Sequence, residues 1–283
     1  DELVLLPQYP NRLNPEGWGA LYAVKKSDIL SYITKPDGNP VTVREIAFDD
    51  GGLSKTVPNF EGFEAIAFAD QQVFMTIETH NGSPMMGYLV AGEIDEASER
   101  ITLDPDSIVA LPPQTHFTNA SDEAITIYDQ KIYTLFEDNG ASQNPKPIAH
   151  VFDLNLQPQG TVAFPNIEYR VTDATETLAD GTFWVMNYFY PGDKHLAAKS
   201  DPIAEKYGAG PTHANTDRVE RIVQMQIGAD AIQLVDTAPL QLELRADGES
   251  RNWEGLAQLD DLGFLLVTDS FPTTIFGFVP NLR

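Results

Sequence analysis

Acidic residues recur along this chain at matching intervals, and the interval suggests chemistry. Glu64 is followed fourteen residues later by Glu78, Glu123 by Glu137 and Asp173 by Asn187, while Glu254 reaches Asp269 after one extra residue. Between the two members of each pair lie an apolar run, a short polar turn and a second apolar run, as in Asp173 through Asp180-Gly181 to Asn187. Two strands joined by a hairpin begin and end on the same edge, so both members of each pair should reach one rim. If the four hairpins surround a common axis, Glu64, Glu123, Asp173 and Glu254 form a ring of carboxylates. Like charges held close and partly dehydrated cannot all stay ionised without protons or a cation among them. A ring of oxygen donors suits Ca²⁺, which takes six to eight oxygens, better than zinc, which prefers nitrogen and sulfur. The plainer alternative is that these residues cap strand ends and bond backbone amides or neighbouring arginines.

Other groups fall on the same rim. Three residues before the acidic anchors stand Glu61, Ala120, Arg170 and Arg251. The planar fork of arginine suits carboxylate or phosphate oxygens, so Arg170 and Arg251 are the expected substrate-binding pair. Neutralising nearby carboxylates is their structural alternative. His80 follows the second acidic position of its repeat, and His116 lies on the approach to the next. Each is a candidate general acid or base. Glu78, Glu137, Asn187 and Asp269 are expected to supply outer hydrogen bonds. There is no G-x-S-x-G elbow, phosphate-binding loop or dinucleotide fingerprint.

The elements that must position these groups read as short strands. Val73–Ile77, Ile132–Phe136, Phe183–Met186 and Phe264–Val267 are apolar runs, and turn signals such as Asp180-Gly181, Asn139-Gly140, Asn81-Gly82 and Asp37-Gly38 punctuate the chain. The best helical candidate, Lys194–Tyr207, is interrupted by Pro202. Asn14-Pro-Glu-Gly-Trp-Gly-Ala-Leu-Tyr22 resembles Asn59 to Ala67 and supplies a further repeat, with either Gly19 or Glu16 at the ring position. From Gly19 through Glu64, Glu123 and Asp173 to Glu254 the anchor spacings are 45, 59, 50 and 81 residues. A four-stranded propeller blade takes about 40–50 residues. The chain is therefore expected to be all-β, a five-bladed β-propeller in one domain over residues 1–283, with six blades the alternative. The long last interval places an insertion over one face at about 192–215. Only three strands fit after Glu254, and Leu3-Val-Leu-Leu6 is a lone apolar strand, so the N-terminal strand is expected to complete the last blade and close the ring.

Composition narrows the partners. The 283 residues carry 18 Lys and Arg against 42 Asp and Glu, a formal net charge of −24. Such a surface repels phosphate backbones and anionic lipid heads, which argues against nucleic acid and membrane docking. No apolar run is long enough for a membrane helix. The absence of cysteine excludes disulfides, thiolate zinc sites and thiol nucleophiles. Acidity, absent cysteine and a start at Asp1 rather than Met suggest an exported bacterial protein, secreted or periplasmic, acting as a monomer.

The repeated unit, carried most clearly by Glu254-Gly255-Leu256 and by Asp173 through Asp180-Gly-Thr-Phe-Trp-Val185, resembles the phytase-like esterase propellers. The blade count and the acidic ring are also similar to those of the calcium-activated nucleotidases, whose propeller holds Ca²⁺ on its axis and hydrolyses nucleoside diphosphates. The resemblance implies Ca²⁺-dependent hydrolysis of a small anionic ester, most plausibly a phosphoester. Arg170 and Arg251 would clamp the anion, and His116 or His80 would move the proton. A non-catalytic propeller, with structural Ca²⁺ and a rim that binds a glycan or protein, is the alternative from another class.

Overall fold

The computed structural model describes residues 1–12, 18–36, 40–80, 85–95, 97–270 and 273–281. The turns Asp37-Gly38 and Asn81-Gly82 and the alternative anchor Glu16 lie outside them. Hairpins dominate, because left-handed residues stand where the sequence places turns. Asp70, Asp129 and Asp260 have φ of 53°, 49° and 48°, and Gly181 has φ of 85°. Aspartate tolerates this conformation and glycine adopts it freely, so each first strand folds back on its second.

The first sheet has seven strands, in the order β1-β2-β3-β7-β6-β5-β4. They are β1 (Glu2–Leu5), β2 (Gly19–Lys25), β3 (Val43–Asp49), β4 (Phe60–Ala69), β5 (Gln72–Thr79), β6 (Gly87–Asp95) and β7 (Arg100–Leu111). All its pairings are antiparallel except a short parallel one, Ala47–Asp49 of β3 against Arg100–Thr102 of β7. The second sheet has four strands, β8 (Asp122–Tyr128), β9 (Lys131–Phe136), β10 (Ile148–Asp153) and β11 (Pro158–Ala163), in the order β11-β10-β9-β8. The third joins β12 (Arg170–Ala174), β13 (Thr182–Phe189), β14 (Val219–Ile227) and β15 (Ile232–Leu234), with β16 (Leu240–Gln241) also on β14. The fourth is β17 (Trp253–Leu259), β18 (Gly263–Thr268) and β19 (Phe276–Pro280). The chain is thus nearly all β, a curled, propeller-like array. Short helices interrupt it: α1 (Lys26–Thr34), α2 (Leu53–Thr56), α3 (Pro202–Tyr207) and α4 (Gly210–His213).

Second strands are apolar without alternation because both their faces are covered. All eight residues of β13 are buried, while β11, at a sheet edge, is mostly exposed. Phe74 and Leu89 pack with Ile125 and Phe152, joining the first sheet to the second. Leu135 and Val151 pack with Phe183 and Met225, joining second to third, and Trp184 and Ile222 with Phe264 and Leu266, joining third to fourth. A further core unites the fourth sheet with the start of the chain, Leu259, Leu265 and Phe278 against Leu3, Leu5, Val24 and Ile29.

One expectation changes here. The N-terminal strand does not add to the last sheet: β1 runs antiparallel to β2, with Glu2 opposite Lys25 and Leu5 opposite Tyr22. Only its side chains meet the fourth sheet. The chain then continues between β2 and β4, where Pro10 C=O accepts from Ala20 N–H at 3.2 Å and Gln8 C=O from Phe63 N–H at 3.0 Å. That route ties β1 to its own end of the first sheet. The helical candidate Lys194–Tyr207 is interrupted as expected: Lys194–Leu196 makes a single 3-10 turn and α3 begins only at Pro202. Asp201 precedes it as N-cap, accepting from Ile203 N–H and Ala204 N–H at 3.0 and 3.2 Å, and proline suits the first helical turn, whose N–H groups have no helical partner.

The junction between the two ends of the chain should depend on its apolar core. Leu265→Ala should cost about 2–5 kcal/mol in denaturant unfolding. Lys26→Ala, which removes the solvent-exposed 2.7 Å ion pair to Asp260, should cost less than about 1 kcal/mol. Equal losses from the two substitutions would contradict this account of the junction.

Candidate axial site

First strands of successive sheets lie side by side, β4 against β8, β8 against β12 and β12 against β17. Each carries a register irregularity at or beside its anchor. The pairing shifts between Phe63 and Ile66 around Glu64, between Asp122 and Ala124 around Glu123, between Trp253 and Gly255 around Glu254, and between Val171 and Asp173 around Thr172, one residue before the anchor. A bulge bends the strand and re-aims the side chain beside it, so the fourfold recurrence has a local cause in backbone geometry. The sequence shows the recurrent acids but not the bulges, which exist only in the pairing.

The acids influence one another. Burial raises the Glu64 carboxyl well above its ordinary range, and Glu123 and Glu78 push it further. Burial likewise raises Glu123, with Glu254 adding to the effect. Glu254 is pushed up to about 8 by burial, against the pull of the Arg170 guanidinium and with Glu64 and Asp269 opposing its charge. Glu64, Glu123 and Glu254 therefore share one field. Asp173 stands partly aside. One of its oxygens accepts from its neighbour Ala174 N–H at 2.8 Å, the other from Leu256 N–H at 2.6 Å, so it ties β12 to β17. Burial pushes it up to about 7 in spite of those bonds.

Arg170 supplies the positive charge among them. Its side chain is 13% exposed and pairs with Glu137, itself 1% exposed, and through Nε with Asp193 at 3.0 Å. Burial opposes its charge, but Glu123 and Asp193 outweigh that and raise its pKa. Arg251 is held elsewhere: its Nη1 donates to Glu220 at 3.1 Å and to Glu243 C=O at 2.9 Å. Glu220, buried, also accepts from Trp253 Nε1 at 2.9 Å and from the Arg251 backbone N–H. Both arginines thus already have carboxylate partners. Sequence reasoning did not find Asp193, Glu220 or the partnership of Glu137 with Arg170, because each depends on contacts between distant segments.

The second acidic set divides in role. Asn187, fully buried, donates to Glu168 C=O and Arg170 C=O at 2.9 Å each and accepts from Arg221 Nε at 2.7 Å. Glu78 is 4% exposed, and its Oε1 has no hydrogen-bond partner. Burial and Glu61 push it up to about 7, with Ser121 nearby but out of hydrogen-bond geometry. His80 is exposed, its Nδ1 3.1 Å from Glu61 Oε2, and His116 is exposed on the loop before β8. The candidate acid–base histidines therefore lie at the surface rather than among the buried acids.

The predicted insertion follows β13 and is bolted down at two points. Asp193 reaches Arg170, and Asp201 Oδ2 pairs at 2.7 Å with the buried Arg221. His213 is buried there, accepting from Glu220 N–H at Nε2 with its Nδ1 facing Ala209 C=O, both at 3.2 Å, the arrangement of a neutral ring. Among the described residues no group of three His, Cys, Asp or Glu side chains is arranged to hold a metal ion.

No family model matches the chain, and no curated protein matches it. Similar solved structures include an apocarotenoid oxygenase variant of Synechocystis, 10% identical, matching 99% of this chain and 54% of the oxygenase with a TM-score of 0.43. Another is hydrazine synthase of Kuenenia stuttgartiensis, 8% identical over 89% of this chain and 71% of the other, with a TM-score of 0.38. U3-55K is 8% identical over 89% and 70% of the two chains, with a TM-score of 0.35. The chain spans about half the length of the oxygenase it matches.

Two outcomes follow from the buried charges. Carboxyls whose folded pKa lies above the unfolded value contribute their stability fully below that unfolded value, near 4.5 or less, and lose it as pH rises through the folded pKa. For Glu78 and Asp173 that is about 7 and for Glu254 about 8. In the presence of chelator the melting temperature should therefore fall between pH 5.5 and 8.5; a rise would refute the burial of unpaired acids. Arg170→Met should lower stability by about 3–5 kcal/mol, the usual cost of leaving buried charge unpaired, as measured by urea unfolding.

Proposed function

We propose that this protein is an exported, five-bladed propeller that binds Ca²⁺ beside its axis and uses that ion to fix a rim for ligand binding. On this reading the seven-stranded sheet counts as two blades joined by the short parallel pairing of β3 with β7. The core between the fourth sheet and β1, β2 and α1 then closes the ring by packing instead of by strand exchange. Strong acidity is the sequence feature in keeping with export.

The observation that carries the cation is the excess of buried acid over base. Glu64, Glu78, Glu123 and Glu254 raise one another's pKa, Arg170 is the cation among them, and Glu78 Oε1 is buried without a partner. The donors are all oxygens, as Ca²⁺ requires. They are not already gathered into a coordination shell, so binding would draw Glu64, Glu123 and Glu254 inward around the ion.

Hydrolysis of an anionic ester, the activity implied by the phytase-like resemblance, has less support. An anion needs free positive groups, and Arg170 and Arg251 are both engaged by carboxylates. His80 contacts Glu61 and lies at the surface. A bound Ca²⁺ would be the chief attraction left for an anion.

Calorimetric titration and thermal melts test the ion. Ca²⁺ at a hundredfold its Kd should stabilise the protein by about 2.7 kcal/mol, and Glu123→Gln should abolish most of that gain. A wild type whose melting and titration are both indifferent to Ca²⁺ would end the proposal. A panel of chromogenic phosphoesters and carboxylesters, with and without Ca²⁺, is expected to show no turnover; Ca²⁺-dependent cleavage would restore the hydrolase reading.

A further inference from the structure

A second group of oxygens lies away from the axial acids, where the β9–β10 connection meets the segment before β12. Asp138 is 1% exposed, and both its carboxylate oxygens are buried without a hydrogen-bond partner. The Gly140 N–H lies near enough to favour the charge slightly but makes no proper hydrogen bond with either oxygen. Asn139, 0% exposed, has a buried Oδ1 that is likewise unpartnered. Buried carboxylates almost always find hydrogen-bond donors, so an orphaned pair of oxygens calls for a cation, a proton or a water.

Gly140 lets two further oxygens come close to the loop. A Cβ there would stand 2.7 Å from Gln143 Oε1 and 2.8 Å from Glu168 Oε2, closer than a side chain tolerates, so both oxygens can press against the backbone only because the residue is glycine. Glu168 is 8% exposed; its other oxygen accepts from Ala141 N–H at 3.2 Å. Gln143 Nε2 donates to His195 C=O, and its Oε1 accepts from Ser142 Oγ at 2.6 Å. The surrounding loop is already fixed. Asn166 Nδ2 donates to Asn139 C=O at 2.9 Å and Asn144 C=O at 2.8 Å, and Asn144 N–H donates to Gly140 C=O at 2.8 Å.

We propose that Asp138, Asn139, Gln143 and Glu168 form a binding site for a hard divalent cation of the Ca²⁺ class. Two carboxylates would balance its charge, and the amide oxygens would complete an all-oxygen, irregular shell. Ca²⁺ accepts such a shell; Mg²⁺ demands a regular octahedron and keeps its waters. The ion would join the β9–β10 connection to the strand that carries Arg170, whose backbone already bridges to Asp138. This site stands on its own oxygens and does not depend on the axial one.

The test uses the full chain and Ca²⁺ alone. Calorimetric stoichiometry is measured for the wild type and for Asp138→Asn, Gly140→Ala and Glu123→Gln, with circular dichroism in chelator to confirm folding. Asp138→Asn removes the charge without changing shape, and Gly140→Ala pushes Gln143 Oε1 and Glu168 Oε2 away from the loop without changing charge. Each should remove one equivalent of Ca²⁺ or weaken it at least tenfold, while Glu123→Gln leaves that equivalent in place. Should Asp138→Asn fail to fold, Glu168→Gln takes its place with the same readout. Unchanged stoichiometry and affinity in both Asp138→Asn and Gly140→Ala would overturn the proposal. So would a wild type that binds no Ca²⁺, or a crystal structure grown in Ca²⁺ that shows only a water between Asp138 and Glu168.

Discussion

Arg170 is the interaction on which the centre of this structure depends. Three inner strands bring Glu64, Glu123 and Glu254 into one field, and Arg170 offsets part of their repulsion while pairing directly with Glu137 and Asp193. A buried ion pair is weak evidence for stability in itself, since desolvation opposes attraction. Removing the arginine is a different matter: the acids would remain buried with fewer positive charges to meet them. Protonation is the way out that burial itself favours, since burial raises the pKa of Glu64, Glu123 and Glu254 alike.

The arginine also connects that centre to the insertion after β13. Asp193 reaches Arg170 Nε, while Asp201 caps α3 and holds Arg221, which in turn bonds Asn187. Asn187 donates to the backbone carbonyls of Glu168 and Arg170. The segment after β13 is thus fastened to the same short stretch, Glu168–Arg170, whose last residue also bridges to Asp138 through its backbone.

Much of the architecture was legible because it follows from periodicity. The fourteen-residue intervals mark first and second strands, and the Asp turns at 70, 129 and 260 adopt the left-handed conformation that such turns require. The long polar interval after Phe189 holds short helices between two strands, β13 and β14, that pair with each other. Less legible was the fate of the N-terminal strand. Leu3-Val-Leu-Leu6 was recognisable as a strand, but its side chains serve the fourth sheet while its backbone serves β2. Apolar pattern reports what a strand buries and is silent on which edge receives its hydrogen bonds.

The sequence by itself determined the β character of the chain, the hairpin repeat and the identity of the recurring acids, because these depend on local pattern and on turn residues. Tertiary structure alone decided what the charged groups do. Glu64, Glu123 and Glu254 stand in the bulges of their strands and share one field, whereas Asp173 follows the bulge of its strand by one residue, bonds the Leu256 amide and links two strands. Arg170 and Arg251 each stand three residues before an acidic anchor in the sequence, yet one meets Glu137 and Asp193 and the other Glu220. The strength of a charge–charge interaction depends on distance and on the exclusion of water, and neither quantity exists along the chain until distant segments have been packed together.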